Sequence, residues 1–157
     1  MSRTKTGSCL CTAVRYTIRA EPAMQVICHC SHCQRQSGSA FSTIIGVPEC
    51  ALEMIGEVRT YADRGDNGSE VLRQFCPRCG SPLFSRVAST PGMVYIKSGT
   101  LDDPRMFHPQ AHIWTKSALE WVSIDGAPAF ETNPAGLDYR RWSINRVPTH
   151  RSTPFTL

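Results

Sequence analysis

Short runs in which apolar and polar residues alternate dominate the chain. In "AVRYTI" the side chains of Val14, Tyr16 and Ile18 fall on one side with polar neighbours between them, the period of a half-buried strand. "FSTIIGV", "ALEMIGEV", "VLRQF" and "MVYIKSG" are also short, rich in β-branched and aromatic residues, and punctuated by Gly and Pro, so each predicts a strand. None is long enough for a substantial helix. The best helical segment is "SHCQRQSG", with Ser31 as cap and Gly38 as stop. "ADRGDNGS", residues 62–69, predicts a polar connection between two strands, and the Asp102-Asp103-Pro104 run predicts a tight turn before a buried strand around "HIW". Pro128, Pro134, Pro148 and Pro154 predict an irregular end to the chain. The pattern is that of a mostly-β domain over residues 1–134, followed by an irregular basic tail over residues 135–157.

Size and charge narrow the picture. A chain of 157 residues encloses one core, and no apolar run approaches the roughly 20 residues of a membrane-spanning helix. No apolar stretch follows "MSRTKTGSCL" as a secretory signal would require, so a cytoplasmic location is expected. The net charge of +4 is modest, and the basic residues are scattered until the tail, which argues against nucleic acid as a partner.

Eight cysteines change the picture most. A reducing compartment disfavours disulfides and favours metal ligation. Cys9 and Cys11 form a Cys-x-Cys pair, and Cys76 and Cys79 form a Cys-Pro-x-Cys-Gly turn in which Gly80 permits positive φ. Together they supply a complete tetrahedral shell for a structural zinc that clips the start of the chain to its middle. Cys28, Cys30 and Cys33 are left as a triplet, with Cys50 apart. Three thiolates on zinc leave one position open, the mark of a working metal, and a soft substrate thiol suits it. Alternatives remain: Cys50, or His29, His32, His108 or His112, would close the shell, or Cys30 and Cys33 would form a redox pair. Cys50 reads more naturally as a small buried hydrophobe at the start of a strand. His29 and His32 are candidate proton carriers; Gln34, Arg35 and Ser37 read as an exposed polar face; Asp102, His112 and Trp114 are weaker candidates for lining the approach to the second metal.

Five motifs, "GSCLCTAVRY", "CHCSHCQRQSGSAF", "FCPRCGSPLF", "SGTLDDP" and "HIWTKSALEWV", in this order and spacing, resemble the glutathione-dependent formaldehyde-activating enzyme family, related to centromere-protein-V-like domains. The resemblance implies a β-tent fold of short antiparallel strands, shared with Mss4-like proteins, a structural zinc on Cys9, Cys11, Cys76 and Cys79, and a catalytic zinc on Cys28, Cys30 and Cys33. It also implies a carbon–sulfur lyase that joins glutathione, or a similar small-molecule thiol, to formaldehyde or another small aldehyde. Leu10 and Thr12 depart from the polar or glycine residues often found around the first pair. The competing reading from a different class is a zinc-stabilised, non-catalytic binding module for protein or nucleic acid.

Overall fold

The computed structural model describes residues 4–134. Within them the protein is mostly β. Its strands are β1 (Lys5–Ser8), β2 (Arg15–Ile18), β3 (Met24–Cys28), β4 (Ser42–Pro48), β5 (Leu52–Ile55), β6 (Arg59–Arg64), β7 (Glu70–Phe75), β8 (Pro82–Val87), β9 (Met93–Lys97), β10 (Ala111–Ile113) and β11 (Ala129–Phe130). The α-helix, α1, spans Ser31–Ser37 between β3 and β4. No helix of the described residues is long and apolar enough to cross a membrane. The basic tail expected over 135–157 lies outside the described residues.

The strands form two sheets. A three-stranded antiparallel sheet has the order β1-β2-β5, and an eight-stranded sheet has the order β11-β10-β3-β4-β9-β8-β7-β6. The large sheet is mixed: β10 runs parallel to both β3 and β11, while the other neighbours are antiparallel. That corrects the expectation of antiparallel strands throughout. The chain returns to β3 from far along the sequence, and no local pattern announces the direction of such a return.

Alternation along β4 and β9 gives the large sheet two buried faces. Ile45, Val47, Val94 and Ile96 join Val14, Tyr16, Ile18, Leu83 and Phe84 in a first core, which also holds Cys9 and Cys76. Burial of each such aliphatic or aromatic side chain contributes about 1.5–3 kcal/mol. Tyr16 also meets Phe84 edge to face, ring centroids 5.3 Å apart, an arrangement that adds about 0.5–1.5 kcal/mol. The opposite positions, Met24, Val26 and Cys28 of β3, join Cys30, Cys33, Ala111, Ile113 and Trp114 in a second core, with Ile44 and Tyr95 packed against it. The two cysteine groups therefore belong to different cores.

Three local expectations need correction. The helix cap is Cys30, not Ser31: Cys30 has extended backbone and its Sγ accepts the Cys33 N–H, while Gly38 ends the helix at φ 62° as expected. The polar connection is shorter than 62–69, because Ala62, Asp63 and Arg64 belong to β6 and pair with Leu72, Val71 and Glu70. Cys50 is exposed in a short 3-10 turn, Glu49–Ala51, and is no buried hydrophobe. The strand there begins at Leu52.

Candidate metal centre

The first cysteine group is built by two tight turns. After β1 the chain folds back so that Cys9 N–H donates to the Val14 carbonyl at 3.0 Å and Thr12 N–H to the Cys9 carbonyl at 2.9 Å. Between β7 and β8 the Gly80 N–H donates to the Cys76 carbonyl at 3.0 Å, and Gly80 sits at φ 72°, the left-handed conformation that its lack of a Cβ allows. Backbone donors reach the sulfurs: Val14 N–H lies 3.3 Å from Cys9 Sγ. Hydrogen bonds from the Ser81 hydroxyl and backbone bring the Cys79 thiol down to about 5. All four sulfurs lie within 4.8 Å of one another. Cys9 to Cys11 is 3.6 Å and Cys11 to Cys76 is 3.7 Å. A tetrahedron with metal–sulfur arms of about 2.3 Å has edges of about 3.8 Å, so this donor set fits a metal ion.

The second group sits where β3 hands over to α1. Cys28 ends the strand, Cys30 caps the helix and Cys33 lies in its first turn, and the three sulfurs also fall within 4.8 Å of one another. No His, Asp, Glu or further Cys among the described residues completes this group. Cys50 is elsewhere on the surface, and His29 is turned away into a buried pair, its Nε2 2.9 Å from His112 Nδ1. His32 is engaged by two carboxylates instead: its Nδ1 is 2.9 Å from Asp63 Oδ2 and its Nε2 3.3 Å from Asp66 Oδ1.

A cavity of about 150 Å³ opens beside the second group. Much of its wall is apolar, with Val26, Ile44, Val71 and Ile113, and Tyr95 and Trp114 add aromatic surface. Two cations face the sulfurs, Lys97 from β9 and Arg73 from β7. Lys97, 7 % exposed, donates from Nζ to Ser42 Oγ at 2.7 Å. Arg73, equally buried, is held by Asp63 Oδ2 at 2.7 Å and by Gln36 Oε1 at 3.2 Å. Hydrogen bonds from Cys28 and Cys30, with the fields of Lys97 and Arg73, hold the Cys33 thiol far below its ordinary value. Neighbouring sulfurs push Cys28 up, since adjacent thiolates repel. Burial lowers Lys97, and the cysteine sulfurs oppose that shift. The arrangement is an electron-rich ligand set with positive charge supplied alongside it.

Of the weaker candidates, Trp114 lines this cavity, whereas Asp102 accepts from the Thr6 hydroxyl on the far side of the domain at 2.6 Å. His112 lies behind the sulfurs, paired with His29. Gln34 and Ser37 are not the exposed face expected of them: Gln34 Nε2 donates to the carbonyls of His29 and Ser117, both at 2.8 Å, and Ser37 Oγ donates to Cys33 O at 2.7 Å. Arg35 is exposed as expected. Lys97, Arg73 and Ser85 were not singled out from the sequence. The available signal was a charged residue at an inward register of a strand with apolar neighbours, Lys97 in "MVYIK" and Arg73 in "VLRQF".

Comparison with known structures supports the fold. The crystal structure of a Rhodobacter sphaeroides protein, 19% identical, superposes with a TM-score of 0.50 over 80% of this chain and 98% of its own. The family model described as glutathione-dependent formaldehyde-activating enzyme matches residues 4–117, which contain both cysteine groups and most of the cavity wall. This chain belongs to the glutathione-dependent formaldehyde-activating enzyme family.

Proposed function

We propose that the protein is a zinc-dependent enzyme of the carbon–sulfur lyase type, acting on a small-molecule thiol such as glutathione and on formaldehyde or a related small aldehyde. The observation that carries the proposal is the buried triplet of Cys28, Cys30 and Cys33, which has no fourth protein ligand among the described residues and faces a cavity. Cys9, Cys11, Cys76 and Cys79 would hold a structural zinc and staple the two sheets into a β-tent. The catalytic domain would span residues 1–134, with 135–157 as a tail, in a cytoplasmic protein.

Zinc on the triplet supplies a soft Lewis-acid position that favours the thiolate form of an incoming thiol. The rest falls to the chain. Three thiolates on a divalent ion leave one net negative charge, and a fourth would add another; Lys97 and Arg73 lie where they offset that charge. Asp63 fixes the Arg73 guanidinium, which faces the sulfurs together with the ammonium of Lys97. The apolar wall keeps water from competing with the aldehyde, which strengthens each electrostatic contact inside. The reaction breaks the S–H bond of the thiol, forms a C–S bond to the aldehyde carbon and leaves the proton on oxygen. The binding-module alternative gains nothing from the second cysteine group, which is buried beside a cavity instead of displayed on a surface.

The test follows formaldehyde by proton NMR with glutathione and zinc-loaded protein. Consumption should exceed the spontaneous rate and return to it in Cys33→Ser. No acceleration with glutathione or with any small thiol would overturn the proposal.

A further inference from the structure

One buried polar group in the cavity wall has no role in holding a metal. Ser85 is 6 % exposed, lines the cavity, and among the described residues its Oγ has no hydrogen-bond partner. Buried hydroxyls are nearly always paired, so one left open toward a cavity points to a ligand atom. Ser85 of β8 lies opposite Tyr95 of β9. Lys97 is two residues further along β9, on the same face, and it also lines the cavity. Ser42 takes one of the three N–H groups of the Lys97 ammonium, and the other charges acting on it are cysteine sulfurs and Arg73. Two kinds of donor, a neutral O–H and an ammonium N–H, therefore line the cavity that the triplet opens onto, with the Arg73 guanidinium paired across from Ser85 on β7.

We infer that Ser85 and Lys97 form an oxygen subsite that takes the aldehyde oxygen while the C–S bond forms, and the hydroxyl of the product afterwards. The inference rests on the proposed thiol and aldehyde chemistry and adds residues that touch the electrophile. The thiol gives up its proton to solvent, a sulfur lone pair forms the C–S bond, and the C=O π pair moves onto oxygen. The growing negative charge receives hydrogen bonds from Ser85 Oγ and Lys97 Nζ, and the oxygen then takes up one proton. One proton lost at sulfur and one gained at oxygen balance the step. Donors already in place need no reorganisation as the charge develops, which makes such a subsite effective.

Binding to the cobalt(II)-substituted protein tests this without turnover. Sulfur-to-cobalt charge-transfer absorption is followed while ethanethiol or 2-mercaptoethanol is added; the two differ by one hydroxyl that can reach the subsite. A single hydrogen bond of about 0.5–1.5 kcal/mol corresponds to roughly two- to twelvefold tighter binding of 2-mercaptoethanol. Ser85→Ala should abolish that preference and leave the ethanethiol affinity unchanged, and Ser85→Thr should retain it. Equal affinity of the two thiols in the wild type would overturn the subsite and leave the proposed function standing. A preference that survives in both Ser85→Ala and Lys97→Gln would mean that the cobalt itself chelates the hydroxyl, and would equally overturn the assignment. No spectral response to either thiol would remove the open metal position and this inference with it.

Discussion

Replacing Cys76 by Ser cuts the clip between the two turns that carry the first cysteine group. Cys76 is fully buried, and its sulfur lies 3.7 Å from that of Cys11, a residue 65 positions earlier in the chain. Treated as a cross-link, a closure of that length removes about 4 kcal/mol of chain entropy from the unfolded state. A domain of this size has about 5–15 kcal/mol in all, so the loss is a large fraction of the total. At roughly 2–4 °C per kcal/mol the melting temperature should fall by about 10–15 °C. The assay is thermal unfolding followed by circular dichroism, with zinc measured by mass spectrometry on the same samples. Cys50→Ser is the control, because Cys50 is exposed and outside both groups. The reasoning fails if Cys76→Ser melts within about 3 °C of the wild type, below the smallest shift expected from these magnitudes, and keeps its full zinc content.

Three further outcomes are expected. Cys28→Ser should lose one zinc per chain and all thiol-dependent activity with a melting shift of only a few degrees; collapse of the fold would class the second metal as structural. Thr12, an exposed β-branched residue at φ 60°, carries a left-handed penalty of about 1–2 kcal/mol that glycine would relieve, less about 0.5–1 kcal/mol of added unfolded-state entropy. Thr12→Gly should therefore melt as high as the wild type or up to a few degrees higher, and a lower melting temperature would contradict the strain. Burial alone pushes the Asp63 carboxyl up, but hydrogen bonds from Arg73, His32 and the Arg64 N–H outweigh it and hold the pKa below its ordinary value. A group depressed in this way contributes stability above its unfolded pKa of about 3.9 and loses it as pH falls toward the folded value. The gap in melting temperature between wild type and Asp63→Asn should thus be full above about pH 5 and close in stronger acid. A gap that stays constant down to about pH 3 would refute the linkage.

What the sequence made legible was whatever depends on spacing. A Cys-x-Cys pair and a Cys-x-x-Cys turn each bring two sulfurs together by local geometry, so Cys9, Cys11, Cys76 and Cys79 could be grouped before any fold was known. The grouping of Cys28, Cys30 and Cys33 followed in the same way. Alternation placed Val14, Tyr16 and Ile18 on one buried side, where they are, with Val14 just ahead of the strand that starts at Arg15. Contacts between distant segments that no shared metal demands were not legible. Lys97 and Arg73 reach the triplet only because β3, β4, β9, β8 and β7 lie side by side, an order set by tertiary pairing. Cys30 took the cap that Ser31 was expected to provide, because the chain leaves β3 in extended conformation and enters the helix one residue earlier. Cys50 is exposed because the segment before β5 closes into a 3-10 turn, which the apolar residues following it do not reveal.

The central claim is that one of two sulfur-bound metals lacks a fourth neighbour from the protein. Diffraction from crystals of the zinc-loaded protein, with data on both sides of the zinc absorption edge, tests it most directly. Two anomalous peaks per chain are predicted, one enclosed by Cys9, Cys11, Cys76 and Cys79, the other bound by Cys28, Cys30 and Cys33 with its remaining position turned to the cavity and filled by solvent or an added thiol. A second peak closed by an imidazole or by Cys50, or no second peak at all, would contradict the account.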